Sequence, residues 1–557
     1  MSPRTLRGRL LDHYRRHPDR LYVRLVFPEG REARLTYGGL VERGGQIARL
    51  LRAWELPPGA VCLVIVPHSP DLYCSFFGAI LGGLVPTILA VPSFKLNAEH
   101  YQHELAALLE RIDGRAVLTD AETAERLSLR ERGLGKARLL AVDELAPEAG
   151  EIPDCEPQPD DIVLLQHSSG STGLKKGVAL SNRAVLAQAD AYADVLAFRE
   201  DDRIASWLPL YHDMGLIACT VVPMVAGVPV SALSPFHWVT HPTSLLRVID
   251  EDRCTLAWMP NFAYDFLASR VRNSQLGAVR LDSMRGWINC SEPTIAATHR
   301  RFLERFRSIG VRPETLWTCY AAAETTFAVT QSTQTEPPRV DRVDRSAFLE
   351  RGEAVPVGDP DVSALETLSG GPLIEGCDVR IVDDKGAVLV DRRVGEIAIE
   401  GKFLFSGYFK DPESTAAALR GGWYYSGDLG YRADGHLYVT GRKKDLIIIG
   451  GRNFYPQDIE RLVSEVPGVY PGRVVALGLE DATIGTQRLI VLAEVDDPAR
   501  VNDPDIAANV RARVSAHLDC AIDDLRLLPH MWLLKTSSGK IARAPNLERY
   551  LTESPPS

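Results

Sequence analysis

Between Val61 and Ala328 short apolar runs alternate with stretches of helical periodicity. VCLVIV, AVLTD, IVLLQ, RIASWLP and TLAWMP each read as a buried strand. Such alternation is the signature of an α/β fold, with connections and functional loops at the strand ends. A chain of 557 residues also exceeds what one compact core accommodates, so at least two domains are expected.

One run tests the alternative of a membrane protein. LYCSFFGAILGGLVPTILAVPSF, Leu72 to Phe94, is long enough to span a bilayer. Gly82, Gly83, Pro86 and Pro92 divide it, and it follows the strand-like VCLVIV as in a βαβ unit. The spacing predicts a helix, a turn and a short strand, and no membrane span. The N-terminus is charged throughout and has no apolar signal core. The nine cysteines are scattered without metal spacing and read as reduced thiols of a cytoplasmic protein. A net charge of −10 argues against a nucleic-acid partner.

The densest chemical signal follows IVLLQ. Ser168, Ser169, Gly170, Ser171, Thr172 and Gly173 precede Lys175, Lys176 and Gly177. Small residues between a strand and a helix let backbone N–H groups converge on an anion, hydroxyls add donors, and lysines add charge. The stretch predicts a phosphate cradle. It lacks the Gly-x4-Gly-Lys-Ser/Thr spacing of a Walker A loop, which argues against a kinase or GTPase fold.

Further along, Gln331 to Ser369 is polar, contains prolines and reads as a long excursion. DVRIVD, GEIAIEG and GHLYVTG then read as strands of a smaller β subdomain. After Gly441–Asp445 the pattern becomes a compact α+β unit, with strands near RVVALGLE and RLIVLAEV.

Six stretches in order resemble the adenylate-forming superfamily of acyl-CoA synthetases, luciferases and peptide-synthetase adenylation domains. They are the Ser/Thr/Gly loop, WLPLYHDMGLI, NCSEPT, CYAAAETT, YSGDLGYRADGHLYVTGRKKD and KTSSGKIARAPN. The resemblance covers nearly the whole chain. It implies a large N-terminal α/β adenylation domain of several subdomains (1–441), a hinge (442–446) and a small mobile α+β lid (447–557). It implies ATP and Mg²⁺ as cofactors.

The same resemblance assigns roles residue by residue. His212 lines the acyl pocket, although Asp213 beside it also reads as a helix cap. Ser291 and Glu292 lie in the turn against adenine, where Cys290-Ser291 replaces the usual small pair. Tyr320 stacks on adenine, Glu324 ligates Mg²⁺, and Thr325 follows in the nucleotide site. Ala321 stands where Gly is familiar. Asp428 binds the ribose hydroxyls and Arg442 the ribose or phosphate. Lys444 is the pivot, and Lys540 bridges the carboxylate substrate and the α-phosphate. Catalysis is implied to rest on Lys540, Glu324 and His212.

Two features point to the fatty acyl-AMP ligase branch: GGRNFYPQDIE at Gly450–Glu460, and extra chain near 335–369 that resembles the branch's insertion. In that branch the insertion is thought to restrain the small domain and disfavour use of CoA. The expected reaction makes an acyl-adenylate from a carboxylic acid, then passes the acyl group to the pantetheine thiol of a carrier protein. No carrier-domain serine follows Lys540, so the carrier is expected to be a separate protein. YHDMGL lacks the early Asp that pairs an amino-acid α-amine. Phe236, Trp238, Trp258, Met259, Phe262, Tyr264 and Phe266 suit either an apolar acyl tunnel or ordinary core. Two other readings stand beside this one: a synthetase using free CoA, with room for a bulky non-fatty carboxylate, and a non-catalytic nucleotide-binding scaffold.

Overall fold

In a computed structural model the described residues are 4–92, 98–131, 134–146, 148–167, 176–333, 335–358, 364–450, 452–481, 486–501, 503–536 and 540–553. The expected strands form. Ile204–Ser206, Leu256–Met259, Gly286–Asn289 and Leu316–Ala321 lie in one eight-stranded sheet. Its interior pairs are parallel, and Glu32–Thr36 and Ala328–Gln331 close its edges in antiparallel pairing. Val61–Ile65 and Gly114–Thr119 pair in parallel inside a second sheet of four strands. The strands Val61–Ile65 and Leu256–Met259 are buried at every position, as a sheet covered on both faces requires.

The apolar run at Leu72 divides as its glycines predict. The helix Pro70–Leu81 ends at Gly82, Gly83 takes φ +77°, and Val85–Ile88 is a strand. Among the described residues no helix is long and apolar enough to cross a membrane.

One expectation is corrected. The Ser/Thr/Gly stretch does not run from a strand into a helix. Ile162–His167 and Gly177–Ser181 are antiparallel partners, with His167 opposite Gly177, and the helix Asn182–Leu196 starts only afterwards. Val178-Ala179-Leu180 is apolar enough to form a buried strand, and Gly407–Tyr408 adds to its other edge. The described part of the excursion after Gln331 forms regular elements. Val340–Val343 pairs with Leu365–Leu368, and the helix Arg345–Arg351 lies between them. Asp344 caps that helix through the Ala347 N–H at 2.7 Å, and Gly352 ends it at φ +63°. One helix of two turns is too short to leave a legible period.

The smaller sheet contains Cys377–Val382, Gly395–Gly401, Trp423–Ala433 and His436–Arg442. The terminal unit packs Pro456–Ser464 and Pro504–Leu518 against Val469–Asp481, Thr486–Val495 and Asp524–Leu528. Its core is separate from that of the large region, and Val343, Phe348, Leu349 and Ala354 belong to it.

A buried ion pair ties the large sheet to the helix at 182–196. Arg285 donates to both oxygens of Asp202 and to the Leu196 carbonyl, and Thr255 Oγ1 donates to Asp202 Oδ1 at 2.7 Å. Removing one donor from a buried carboxylate costs about 1.5–3 kcal/mol. Thr255→Val is expected to lower stability by that amount in urea unfolding, with an unchanged m-value. A variant as stable as the parent would show that Thr255 adds nothing to the pair.

Candidate active site

Two groups of residues follow the ends of adjacent parallel strands of the large sheet, Gly286–Asn289 and Leu316–Ala321. The first is built on the turn after Leu316–Ala321. Tyr320 and Asp428 are buried, and the Tyr320 hydroxyl donates to Asp428 Oδ2 at 2.7 Å. Arg442 Nε lies 3.2 Å from Asp428 Oδ1. The β-hairpin sets this contact, because Asp428 and Arg442 are register partners on adjacent strands. One lone pair on each Asp428 oxygen is left for a further donor, which suits a pair of neighbouring hydroxyls.

Glu324 accepts from the Tyr408 hydroxyl at 2.8 Å. Burial raises its carboxyl pKa, with hydrogen bonds from Tyr408 and Tyr424 and the charge of Arg442 opposing. No ion pair reaches Glu324 among the described residues. Lys176 Nζ sits 4.8 Å from the centre of the Tyr408 ring. A partly buried, hard oxygen donor with no ion pair among the described residues fits Mg²⁺, which takes one or two carboxylates plus phosphate oxygens. Among the described residues no group of three or more His, Cys, Asp or Glu could hold a metal by itself.

The turn carries backbone strain. Thr326 adopts φ +62° and sends its hydroxyl to the Phe403 carbonyl at 2.8 Å. A β-branched residue at positive φ is rare, and such strain clusters at functional turns. The position that needs unusual backbone is therefore Thr326, and Ala321 continues the strand without positive φ. Thr325 is fully buried and donates its hydroxyl to the Ala322 and Phe327 carbonyls, so it braces the turn.

The second group faces Lys540. Its Nζ donates to the Ser291 carbonyl at 2.5 Å, joining the terminal unit to the turn after Gly286–Asn289. Ser291 holds φ +68°. His212 Nδ1 lies 2.7 Å from Asp213 Oδ1, which also accepts the Met214 N–H at 2.8 Å. Burial opposes the Asp213 carboxylate. The His212 contact, the charge of Lys540 and the Met214 N–H outweigh burial and hold its pKa below the usual value. His212 Nε2 is buried without a hydrogen-bond partner among the described residues. Asp213 precedes an eight-residue π-helix, Met214–Val221. π-Helices are rare and frequent at functional sites. Glu292 Oε2 accepts the Phe262 N–H at 3.0 Å and so anchors the turn to the helix Asn261–Arg270.

The structure thus brings together Tyr320, Glu324, Asp428 and Arg442 with Lys176 beside them, and places Lys540 against Ser291 with His212 and Asp213. Lys444 lies in the short 3₁₀ turn Lys443–Asp445 between the two units. Ser168, Ser169, Gly170, Ser171, Thr172 and Gly173 lie outside the described residues. Of the aromatic set, Trp238, Trp258, Met259 and Tyr264 are fully buried, and Trp238 stacks on Trp207 at 3.6 Å. Phe236 is 64% exposed and does not share that wall. Sequence reasoning missed Tyr408 and Tyr424. The available signal was an aromatic next to Gly407, just before the Asp411-capped helix at Pro412–Ala418.

The site thus combines a partly buried carboxylate with no ion pair among the described residues, a buried Asp held by Tyr320, and a lysine of the terminal unit at the Ser291 turn. Comparison gives the family: the AMP-binding enzyme model matches residues 10–409, and the chain belongs to that family. It is 31% identical to the long-chain-fatty-acid–AMP ligase FadD32 of Mycolicibacterium smegmatis, over 93% of this chain and 89% of the relative. A structure from a study of fatty acyl-adenylate ligases of E. coli and L. pneumophila superposes with a TM-score of 0.91. It is 30% identical and covers 99% of this chain and 98% of its own. The L. pneumophila fatty acyl-adenylate ligase with acyl adenylate and pyrophosphate bound is similar at 26% identity, with a TM-score of 0.76 and coverage of 99% and 97%. The protein is an acyl-adenylate-forming ligase that uses ATP and Mg²⁺.

Proposed function

We propose that this chain activates a fatty acid as its adenylate and passes the acyl group to the pantetheine thiol of a separate carrier protein. The observation that carries the reading is the meeting of Lys540 with the Ser291 turn, whose strand Gly286–Asn289 lies beside the strand that carries Tyr320. Asp428 and Arg442 hold the ribose, Tyr320 packs on adenine, and the stretch 168–173 with Lys176 takes the phosphates. Mg²⁺ bound at Glu324 supplies positive charge to the phosphate oxygens. Lys540 brings its ammonium to the acyl carboxylate and the α-phosphate, and His212 borders the carboxylate through Nε2. These residues position two anions and neutralise charge, and no protein nucleophile is used. The aromatic wall around Trp238 supports an apolar acyl group. We place the domain boundary at 441, the hinge at 442–446 and the lid at 447–557.

The packing of the extra segment favours a carrier over free CoA as acceptor. Phe348 is buried between Tyr431, at 6.2 Å, and Tyr455 of the terminal unit, at 5.7 Å. Tyr431 donates to Asp341 at 2.8 Å, and Arg392 pairs with the same carboxylate. A terminal unit that shares core with the segment must break apolar contacts in order to swing. Phe348→Ala is therefore expected to make acyl-CoA detectable where the parent forms none, and to leave pyrophosphate release near the parent rate. An unchanged acyl-CoA yield would remove the restraint from the account.

The reading as a whole is tested by product analysis. The protein is mixed with ATP, Mg²⁺, a panel of fatty and cyclic acids, CoA and a pantetheinylated carrier protein, and the products are weighed by mass spectrometry. Acyl-adenylate and acyl-carrier without acyl-CoA are the expected products. Abundant acyl-CoA would replace the carrier by CoA.

A further inference from the structure

Lys540 stands on one leg of a loop whose described parts are residues 534–536 and 540–542. The Thr536 N–H donates to the Lys540 carbonyl at 2.7 Å, the Ala542 N–H donates to the Leu534 carbonyl at 3.0 Å, and Lys535 bridges Ile541. Two strand-like legs of this length do not fix themselves, because a lone hairpin is marginal in water. They are fixed from below. Asn546, in the helix Arg543–Thr552, is fully buried at their base. Its Oδ1 accepts the Leu534 N–H at 2.9 Å. Its Nδ2 donates to the Leu534 carbonyl at 2.9 Å and to the Ala542 carbonyl at 2.7 Å. One amide side chain therefore ties both legs, with both of its N–H groups used. The preceding peptide is held in the same way, since the Leu533 N–H goes to the buried carboxylate of Glu494 at 2.7 Å.

We infer that Asn546 is the positioning residue of Lys540: its amide sets where the ammonium arrives, and thereby the rate of adenylate formation. The inference rests on the reading of Lys540 as the adenylating lysine. The ammonium lies six residues from the clasp, and a shift of about 1 Å in a charge-stabilising group costs up to ~100-fold in rate. Acyl transfer from a finished adenylate does not use the ammonium, so Asn546 leaves that step alone.

The test is a double-mutant cycle in the full-length chain, with Asn546→Leu, Lys540→Ala and both together. Asn546→Leu has similar size and removes all three hydrogen bonds. Asn546→Ser, a milder change, is carried beside it with melting temperatures for all variants, so that a folded variant is always read. Pyrophosphate release reports adenylation, and transfer of acyl groups from supplied acyl-adenylate to the carrier reports the later step. Asn546→Leu is expected to lower the kcat of adenylation by about 30-fold, with KM values and acyl transfer within about twofold of the parent. In the Lys540→Ala background the same change is expected to add nothing further. Full additivity, equal loss in both steps, or parental adenylation by folded Asn546 variants overturns the inference and leaves the role of Lys540 standing. A parental rate for Lys540→Ala itself overturns both.

Discussion

Lys540→Ala is expected to reduce pyrophosphate release by about 10²–10³-fold while leaving nucleotide binding near the parent level. The separation of the two groups in the site is the reason. Adenosine contacts are assigned to Tyr320, Asp428 and Arg442, which are joined to each other by the 2.7 Å and 3.2 Å contacts and not to Lys540. The ammonium instead sits on the Ser291 carbonyl, where its charge also acts on Asp213. Two anions must approach one another there, a carboxylate and an α-phosphate, and their repulsion is the part of the barrier that a placed cation removes. A preorganised charge in a partly buried site is worth about 3–4 kcal/mol at the transition state. Lys540→Arg is not expected to rescue, because a planar guanidinium cannot occupy the same point. Acyl transfer from supplied acyl-adenylate is expected to proceed in the variant. Parental pyrophosphate release would refute the role given to Lys540.

What the sequence made legible follows the physics of short-range signals. Buried strands such as VCLVIV and TLAWMP were readable because covered parallel strands are apolar at every position. The break at Gly82–Gly83 was readable because a turn at positive φ needs glycine. The Asp428–Arg442 contact was not readable from the hairpin, because the register shifts between Gly430 and Leu429, and unshifted pairing would set Arg442 opposite Gly427. Other features depend on distant chain and left little local trace. Tyr408 reaches Glu324 across 84 residues because Gly407–Tyr408 joins the edge of Gly177–Ser181. Asn546 reads as an ordinary polar residue of a helix, and only the folded loop reveals its three bonds. The strain at Thr326 contradicts residue preference, as a functional turn can when the surroundings enforce it. Phe348 lies in a polar excursion, and its partner Tyr455 lies in a unit that begins about a hundred residues later.

Glu324→Gln separates function from stability. The substitution keeps the shape, and an acceptor oxygen for the Tyr408 hydroxyl, and it removes the charge. Burial raises the Glu324 pKa because the interior disfavours the carboxylate, so the ionised side chain costs the folded protein free energy at neutral pH. A neutral isostere is expected to leave the melting temperature unchanged or higher. Adenylate formation is expected to fall by about 10²-fold or more, because the dication loses its protein carboxylate and the phosphates lose the charge it supplies. Excess Mg²⁺ should recover part of this rate, since the phosphates still offer oxygen ligands. Tyr408→Phe serves as the reference: it removes a hydrogen bond from Glu324 and keeps the charge, so its loss should be smaller by an order of magnitude. Melting curves and a Mg²⁺ titration of pyrophosphate release read both arms. A destabilised Glu324→Gln that keeps parental activity would make Glu324 a structural residue and move the metal site elsewhere.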